Sequence, residues 1–281
     1  DYHLLQGGRE EFYNQAVRRH LRDSGVPVES SKGEFGRGQH ELNIQYADVL
    51  EMADRHTIMK LAMKDVADRL GISVTFMAKP ETDQAGSSCH VHLSLWNGSE
   101  PAFPGEIEIG RIRCSDTFRH FLAGWIGHVQ DVMPFYGPTV NSYKRYQVAS
   151  WAPTNIAWSY DNRTAGFRVV GSGPSLRIEC RIPGADVNPY LVIAASLACG
   201  YLGMVEGLKP TAATVGSAYG QDYGLHKHIY SAVDALRDSN AMRDMLGDAF
   251  VDLYTALKDA EYQEFQEIIT PWEREILMFN V

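Results

Sequence analysis

Two short segments alternate strictly between polar and apolar residues, and this alternation limits the fold more than any other feature of the chain. In the first, residues 89–95, the polar members are His90, His92 and Ser94. The second covers residues 177–182. Successive side chains of a β-strand point to opposite faces. Each segment therefore predicts a strand with one face on a hydrophobic core and the other face lined by polar groups.

The polar face of the second segment carries Arg177, Glu179 and Arg181, and it has two interpretations. Two arginines that flank a carboxylate can form a simple cross-strand ion-pair ladder. Alternatively, the glutamate holds a divalent cation and the arginines hold anions beside it. The histidines of the first segment also have two interpretations, because histidines at positions i and i+2 are either metal ligands or ordinary polar residues of a strand.

The charge of the chain argues against two classes of partner, nucleic acids and anionic membranes. The 281 residues carry a formal net charge of −9 at pH 7, whereas nucleic acids and anionic membranes are bound by basic surfaces. Arginines are nevertheless concentrated between positions 145 and 181, where five of them accompany only two acidic residues, Asp161 and Glu179. This distribution suits an anionic small-molecule substrate. A salt-bridged surface is the alternative.

Glu34 and Glu41 flank a glycine-rich turn. Mg²⁺ requires oxygen ligands in a tight geometry, and two carboxylates from one loop are a common source of them. A solvated acidic loop explains the same pattern. Carboxylates, imidazoles and guanidinium groups in one chain are, however, the set that phosphoryl transfer from a metal–nucleotide complex uses.

Helical and strand patterns do not alternate regularly along the chain, which predicts an α+β fold with an antiparallel sheet. The apolar run from Tyr190 to Val205 is short for a membrane span and predicts a buried helix. Asn188 and Pro189 supply its N-cap and its first helical position. Periodicity predicts further elements: helices over 10–22 and 47–70, and strands over 74–78 and 88–95.

Seven motifs cover nearly the whole chain: GEFGRGQHE (33–41), TFMAKP (75–80), GSSCHVHLSL (86–95), NSYKR (141–145), DNRT (161–164), RIECR (177–181) and NPYL (188–191). Their order and spacing resemble those of the glutamine synthetase catalytic domain. Within that family, the chain is similar to the glutamate–amine ligases of the γ-glutamylpolyamine synthetase type.

The resemblance implies a fold and an assembly. The expected fold is a curved antiparallel sheet, a half-barrel, backed by helices, with residues 1–281 as the catalytic domain. A small N-terminal domain and a Glu-x-Glu strand that completes both metal sites would lie upstream of Asp1. Family members assemble as stacked rings, so a homo-oligomer is expected.

The four cysteines lack metal-binding spacing, and reduced thiols in a cytoplasmic protein are expected.

The resemblance also assigns roles to individual residues in binding ATP, glutamate and Mg²⁺ or Mn²⁺. The expected ligands of the first metal ion are Glu34 and Glu41, and those of the second are His90 and Glu179. The expected ATP-binding residues are Glu29, His92, Ser94, Arg163, Arg168 and Arg177, with Arg163 and Arg168 as the catalytic pair on the transferred phosphate. The expected glutamate-binding residues are Gly86, Arg145, Arg163 and Arg181.

One departure from the family pattern bears on the substrate. The flap position that carries a glutamate in ammonia-using members is Trp151 here. An indole cannot act as a base, but it offers an apolar and π face to an organic amine. The resemblance and this departure together predict an ATP-dependent ligase. It would join the γ-carboxylate of glutamate to an organic amine or polyamine through γ-glutamyl phosphate.

Three alternatives remain open at this point. They are a true glutamine synthetase that uses ammonia, a non-catalytic structural relative, and a phosphagen-kinase-like phosphotransferase, whose family shares the catalytic fold. The motif order argues against the last. Residues 85–88, Ala-Gly-Ser-Ser, replace the Asn-Gly-Ser-Gly usual in the family, so one substrate-orienting amide is missing. A nucleotide-contacting lysine of some members corresponds roughly to Pro174.

Overall fold

The computed structural model describes residues 4–221 and 224–281 as a mixture of helices and short strands, which confirms the predicted α+β class. The helices are α1 (Leu4–Arg9), α2 (Glu11–Asp23), α3 (Val49–Arg69), α4 (Asp116–His128), α5 (Met133–Tyr136), α6 (Pro189–Glu206), α7 (Ile229–Asp238), α8 (Asn240–Leu246), α9 (Asp248–Gln266) and α10 (Pro271–Leu277). The strands are β1 (Val28–Gly33), β2 (His40–Ile44), β3 (Val91–Leu93), β4 (Trp96–Asn97), β5 (Glu100–Pro101), β6 (Ile107–Ile109), β7 (Ile112–Cys114), β8 (Trp158–Tyr160), β9 (Phe167–Val170) and β10 (Arg177–Cys180).

Four strands form the largest sheet, in the order β3-β10-β9-β8. Strand β10 is antiparallel to both of its neighbours, but β8 runs parallel to β9. The sheet is therefore mixed, whereas a purely antiparallel sheet was expected. The segment 161–166 leads the chain back to the end of the sheet at which β8 begins, so that β9 can run in the same direction. Its first residue, Asp161, has a left-handed backbone conformation (φ 48°). The other described strands form three separate antiparallel pairs, β1-β2, β4-β5 and β6-β7.

The apolar face of the four-stranded sheet covers the main core, as the alternation predicts. Ile178 and Cys180 of β10 are completely buried, and Val91 of β3 lies beside them. Phe167 of β9 contacts Trp125 of α4 edge to face, with ring centroids 5.5 Å apart. The sheet therefore rests on the helices through one face and leaves its polar face for the site described below.

Helix α6 runs through the same core. The Asn188 side chain accepts hydrogen bonds from the backbone N–H groups of Tyr190 and Leu191 at 3.0 and 3.3 Å, and Pro189 takes the first helical position. In the described part of the chain, α6 is the one helix whose length and apolar content would suffice to cross a membrane. It packs closely against α4 and has a buried inner face, which confirms the predicted buried helix.

A second, smaller core lies where α2 and α3 pack together beside β1 and β2. Its buried members are Tyr13, Val17, Leu21, Val26, Met59, Met63, Val66 and Ala67. The strand predicted over 74–78 is wrong, because this segment is irregular and pairs with none of the described strands. Val74 and Phe76 still pack against the second core, which explains their apolar alternation.

The strand predicted over 88–95 is present but shorter. Three residues of β3 pair with β10, with His92 opposite Glu179. The chain leaves the ladder before β3, where the Cys89 N–H donates to the Pro183 carbonyl at 2.9 Å. His90 therefore lies immediately before the three-residue pairing, and His92 lies in its middle.

Candidate active site

Glu179 is the centre of a buried ion cluster on the polar face of the four-stranded sheet. Its side chain is only 2% exposed. Arg168, which lies opposite Glu179 on the neighbouring strand β9, donates to Oε2 at 2.7 Å. Arg181 donates to Oε1 at 2.6 Å. His90 Nδ1 lies 3.2 Å from the same Oε1. The ion-pair ladder and the imidazole–carboxylate pair are therefore both present, and they share one carboxylate.

The charges around Glu179 fix its ionisation state and that of His90. Burial raises the pKa of the Glu179 carboxyl, but the positive charges of Arg181 and Arg168 beside it lower it by more, so its pKa is about 2. Burial, and then the charge of Arg181, holds the pKa of His90 well below its ordinary value. The pair is thus an ionised carboxylate beside a neutral imidazole, the protonation states that metal binding requires.

Two more residues extend the cluster along the sheet. Arg168 Nε donates to Asp161 Oδ1 at 3.0 Å, so Arg168 bridges two carboxylates. Arg163 is exposed, and its carbonyl accepts a hydrogen bond from Arg181 Nε at 3.2 Å. Of the two arginines expected on the transferred phosphate, one is therefore held by carboxylates and the other presents a solvent-exposed guanidinium group.

Arg145 is held against the backbone next to this cluster. Its side chain donates to the Ile182 carbonyl, and its Nε is buried without a hydrogen-bond partner. Gly86 lies directly against it, because a Cβ at position 86 would come within 2.6 Å of Arg145 Cγ and 2.7 Å of the Ala78 carbonyl oxygen. Position 86 thus has no room for a side chain, and the buried Nε of the neighbouring Arg145 is a donor without a partner.

Glu34 and Glu41 meet at the end of the β1-β2 hairpin, where both contact Lys32. The Lys32 ammonium lies 2.6 Å from Glu34 Oε1 and 2.9 Å from Glu41 Oε2. Gln39, in the hairpin turn, donates to the Gly86 carbonyl at 3.0 Å and to Ser87 Oγ at 3.1 Å. The hairpin is therefore tied to the segment that packs on Arg145.

The donors suit divalent cations, although neither pair is a complete ligand set. Among the described residues, no three or more His, Cys, Asp or Glu side chains converge on one point. The Lys32 ammonium shows that the Glu34 and Glu41 carboxylates can face a single cation. Mg²⁺ commonly takes one or two carboxylates and completes its shell with water and phosphate oxygens. Convergence of the two pairs on one cleft remains a prediction, since no described contact joins them directly.

Apart from Arg163 and Arg168 of the Glu179 cluster, the residues expected to bind the nucleotide lie in two places. Arg177 Nε donates to His92 Nδ1 at 3.2 Å, and Ser94 Oγ accepts from Trp96 Nε1 at 3.0 Å. These contacts lie at the exposed end of the β3-β10 pair, where β3 ends and β10 begins. Glu29 is exposed on β1, where it lines a cleft with arginines of α2. No described contact connects Glu29 to the other members of this group.

Trp151 lies in a strained turn beside the cluster. It has a left-handed backbone (φ 60°), and so does Ala149 (φ 61°); this conformation is rare for residues other than glycine. The residue is 55% exposed, and its carbonyl accepts a hydrogen bond from Arg181 Nη2 at 3.5 Å. The strained turn thus holds an exposed tryptophan whose backbone carbonyl contacts an arginine of the cluster.

Two residues of the site were not predicted from the sequence. Lys32 is two positions before Glu34, a spacing that puts both side chains on one side of an extended chain, so the contact of this pair had a usable signal. The role of Asp161 could not be predicted from the sequence, because its contact with Arg168 depends on the parallel pairing of β8 and β9, which was not expected.

Residues 8–277 match the family described as "Glutamine synthetase, catalytic domain". The chain belongs to the glutamine synthetase family. Two solved structures of GmaS, one an ADP complex and one without ligand, align with TM-scores of 0.90 at 32% identity. They cover 99% of this chain, which in turn covers 66% and 65% of theirs.

Curated members of the glutamine synthetase family with high similarity include amine ligases. The chain is 39% identical over 274 residues to a γ-glutamylethanolamide synthetase, GlnA4, of Streptomyces coelicolor. It is 38% identical over 278 residues to a glutamate–isopropylamine ligase of a Pseudomonas species. Both alignments cover 97% of this chain, which spans 58% and 60% of the length of these relatives. A glutamine synthetase of Methanococcus maripaludis is 33% identical.

Proposed function

We propose that the protein is an ATP-dependent ligase that joins the γ-carboxylate of glutamate to an organic amine through γ-glutamyl phosphate. The observation that carries this proposal is the buried Glu179 cluster, in which a carboxylate, a neutral imidazole and two guanidinium groups meet in a chain of the glutamine synthetase family. Trp151, exposed beside Arg181, supports an amine larger than ammonia.

Divalent cations fit two places in this scheme. Glu34 and Glu41 would hold the first Mg²⁺ or Mn²⁺ ion, and His90 with Glu179 the second. Bound there, the ions would supply charge neutralisation of the ATP phosphates. Arg168 is already oriented by Asp161 and Glu179, so it can meet developing phosphate charge without reorganisation. The sites would be completed by phosphate oxygens and water.

The substrate groups follow from the remaining donors. Arg145 and Arg181 would hold glutamate, while Arg163, Arg177, His92, Ser94 and Glu29 would contact the nucleotide. A γ-carboxylate oxygen of glutamate attacks the γ-phosphorus of ATP, and the bond to ADP breaks. The amine nitrogen then attacks the acyl carbon, phosphate leaves, and the amine loses a proton to a group other than Trp151, which has no basic atom.

The choice of amine is tested by a substrate panel on the intact protein. We expect kcat/KM for ethanolamine, isopropylamine, putrescine or spermine to exceed that for ammonium by at least about tenfold, because one buried apolar group contributes about 1–3 kcal/mol to discrimination. The relatives named for ethanolamide and isopropylamine products guide the choice of amines. Trp151→Ala should reduce use of the organic amine more than use of ammonium.

Trp272→Ala is the matched control, since Trp272 is also exposed (63%) but lies in α10 and contacts none of the site residues through any described interaction. If ammonium is the best substrate, a glutamine synthetase reaction replaces the amine-ligase proposal. Absence of glutamate-dependent ADP formation with every amine would favour a non-catalytic relative instead.

The proposal extends to the setting of the enzyme. Residues 1–281 would form its catalytic domain, and the intact protein would be a cytoplasmic homo-oligomer of stacked rings. The net charge of −9 and the free thiols of the described cysteines support a soluble metabolic enzyme without nucleic-acid or membrane partners.

A further inference from the structure

The position of Lys32 between Glu34 and Glu41 is fixed by the backbone of the β1-β2 hairpin. Lys32 and Glu41 are directly opposite each other across the antiparallel pair. Glu34 follows Lys32 by two residues and continues the pairing, because its N–H donates to the Gln39 carbonyl at 2.8 Å. Side chains at i and i+2, and those opposite across a pair, share one face of a sheet. The three side chains therefore meet because of strand register.

The second oxygen of each carboxylate is also held. Glu41 Oε1 accepts from Asn43 Nδ2 at 3.0 Å, and Asn43 is itself tied to Ser30 Oγ at 2.9 Å. Glu34 Oε2 accepts from the Phe35 N–H at 3.0 Å. Each carboxylate thus has one oxygen bound to its own hairpin and the other directed at the ammonium of Lys32.

We propose that Lys32 is an internal competitor for the first divalent cation, an ammonium that occupies the space between Glu34 and Glu41 until the metal ion displaces it. This inference rests on the proposed function, which assigns these two carboxylates to the metal. In the metal-free protein, the Lys32 ammonium offsets half the negative charge of two carboxylates that would otherwise repel each other. When the cation binds, the lysine side chain moves away from the same oxygens.

Competition follows from size and charge. A metal ion about 2.1 Å from both carboxylates would need the oxygens that the ammonium now contacts, and two cations so close repel strongly. Lys32 is 45% exposed, so its side chain has solvent into which it can swing. Metal affinity at this pair is therefore lowered by the lysine, and removal of its charge should raise that affinity by about tenfold or more.

The test is a Mn²⁺ titration of the intact protein without nucleotide, followed by the EPR signal of free Mn²⁺. Variants are Lys32→Met, Lys32→Arg, Glu41→Gln and the control Lys258→Met. Lys258 also pairs with a glutamate, Glu261, at 2.7 Å in α9, so its variant makes the same change of charge elsewhere. We expect K32M to bind at least about tenfold more tightly than wild type, and K32R and K258M to resemble wild type.

Glu41→Gln should weaken binding in both the wild-type and the K32M background. If E41Q weakens binding but K32M does not strengthen it, the competitor role is wrong and the metal assignment of the proposed function stands. If E41Q has no effect, both are wrong. A second measurement follows the acylation of Lys32 by mass spectrometry: Mn²⁺ should increase its reactivity, and protection by Mn²⁺ would contradict displacement.

Discussion

At the scale of single residues, Glu179 is the side chain on which the site depends most. It is buried, and its two oxygens face Arg168 and Arg181 separately. Glu179→Gln keeps the shape but removes the charge, which leaves the buried Arg181 guanidinium group without its counter-ion. We expect the free energy of unfolding at pH 7 to fall by about 3 kcal/mol. Urea denaturation measures this as a lower midpoint with an unchanged slope.

The stabilisation that the ionised Glu179 carboxylate provides should depend on pH. The folded-state pKa of Glu179, about 2, lies below its ordinary value of 4.5. Its stabilisation is therefore fully present above about pH 4.5 and is lost as pH falls towards 2. Wild type and E179Q should converge in that range. Glu108→Gln, at an exposed carboxylate, is the control, and an E179Q midpoint equal to that of E108Q at pH 7 would refute the buried ion pair.

Sequence reasoning reached some residues of the site and not others for a physical reason. Alternation alone placed Glu179 and His92 on a polar strand face, because the period of a strand is a local property. The contacts of Lys32 with Glu41 and of Arg168 with Asp161 depend on which strands pair and in what register. Register is decided by tertiary packing, so these partners could not be derived from spacing.

At the scale of elements, the crossing of α4 and α6 positions the apolar floor under the sheet. A Cβ at Gly203 would lie 2.3 Å from Gly124 Cα and 2.3 Å from the His120 carbonyl oxygen. Gly203→Ala must therefore separate the two helices, and we expect a loss of about 1–3 kcal/mol of unfolding free energy.

Gly127→Ala in α4 is the matched control for this crossing. Its added Cβ would meet only Leu208 Cδ1 at 3.7 Å, an ordinary contact. Alanine favours a helix interior over glycine by up to about 1 kcal/mol, so G127A should be neutral or stabilising. Thermal denaturation of the two variants separates the effects. Equal melting temperatures would show that the helices do not approach as closely as described.

The predicted elements succeeded where their signals were local. The cap at Asn188 and the apolar run after it defined α6 without reference to any neighbour. The strand over 74–78 failed because alternation shows only that one side is buried, whereas a strand also needs a partner for its backbone. The parallel pairing of β8 and β9 was not predicted for the same reason, because the sequence of a single strand does not determine the direction of its partner.

At the scale of the whole molecule, the four-stranded sheet separates a hydrophobic core from a charged face. The residues that the resemblance marked for metal, phosphate and glutamate lie on that face, on the β1-β2 hairpin, or in connecting segments that contain Gly86, Arg145 and Arg163. Gln39 ties the hairpin to Gly86. Membership of the glutamine synthetase family and the TM-scores of 0.90 against GmaS agree with this arrangement. The roles of the individual residues remain proposals for mutagenesis.

The most direct test of the proposed reaction is an isotope-transfer measurement on the intact protein. Glutamate labelled with ¹⁸O in its γ-carboxylate is incubated with ATP, Mg²⁺ and the best amine of the panel, and the products are analysed by mass spectrometry. A γ-glutamyl phosphate intermediate predicts one ¹⁸O atom in each phosphate released, together with ADP and the γ-glutamyl amide in equal amounts. Unlabelled phosphate, or a phosphorylated product without amide, would contradict the account.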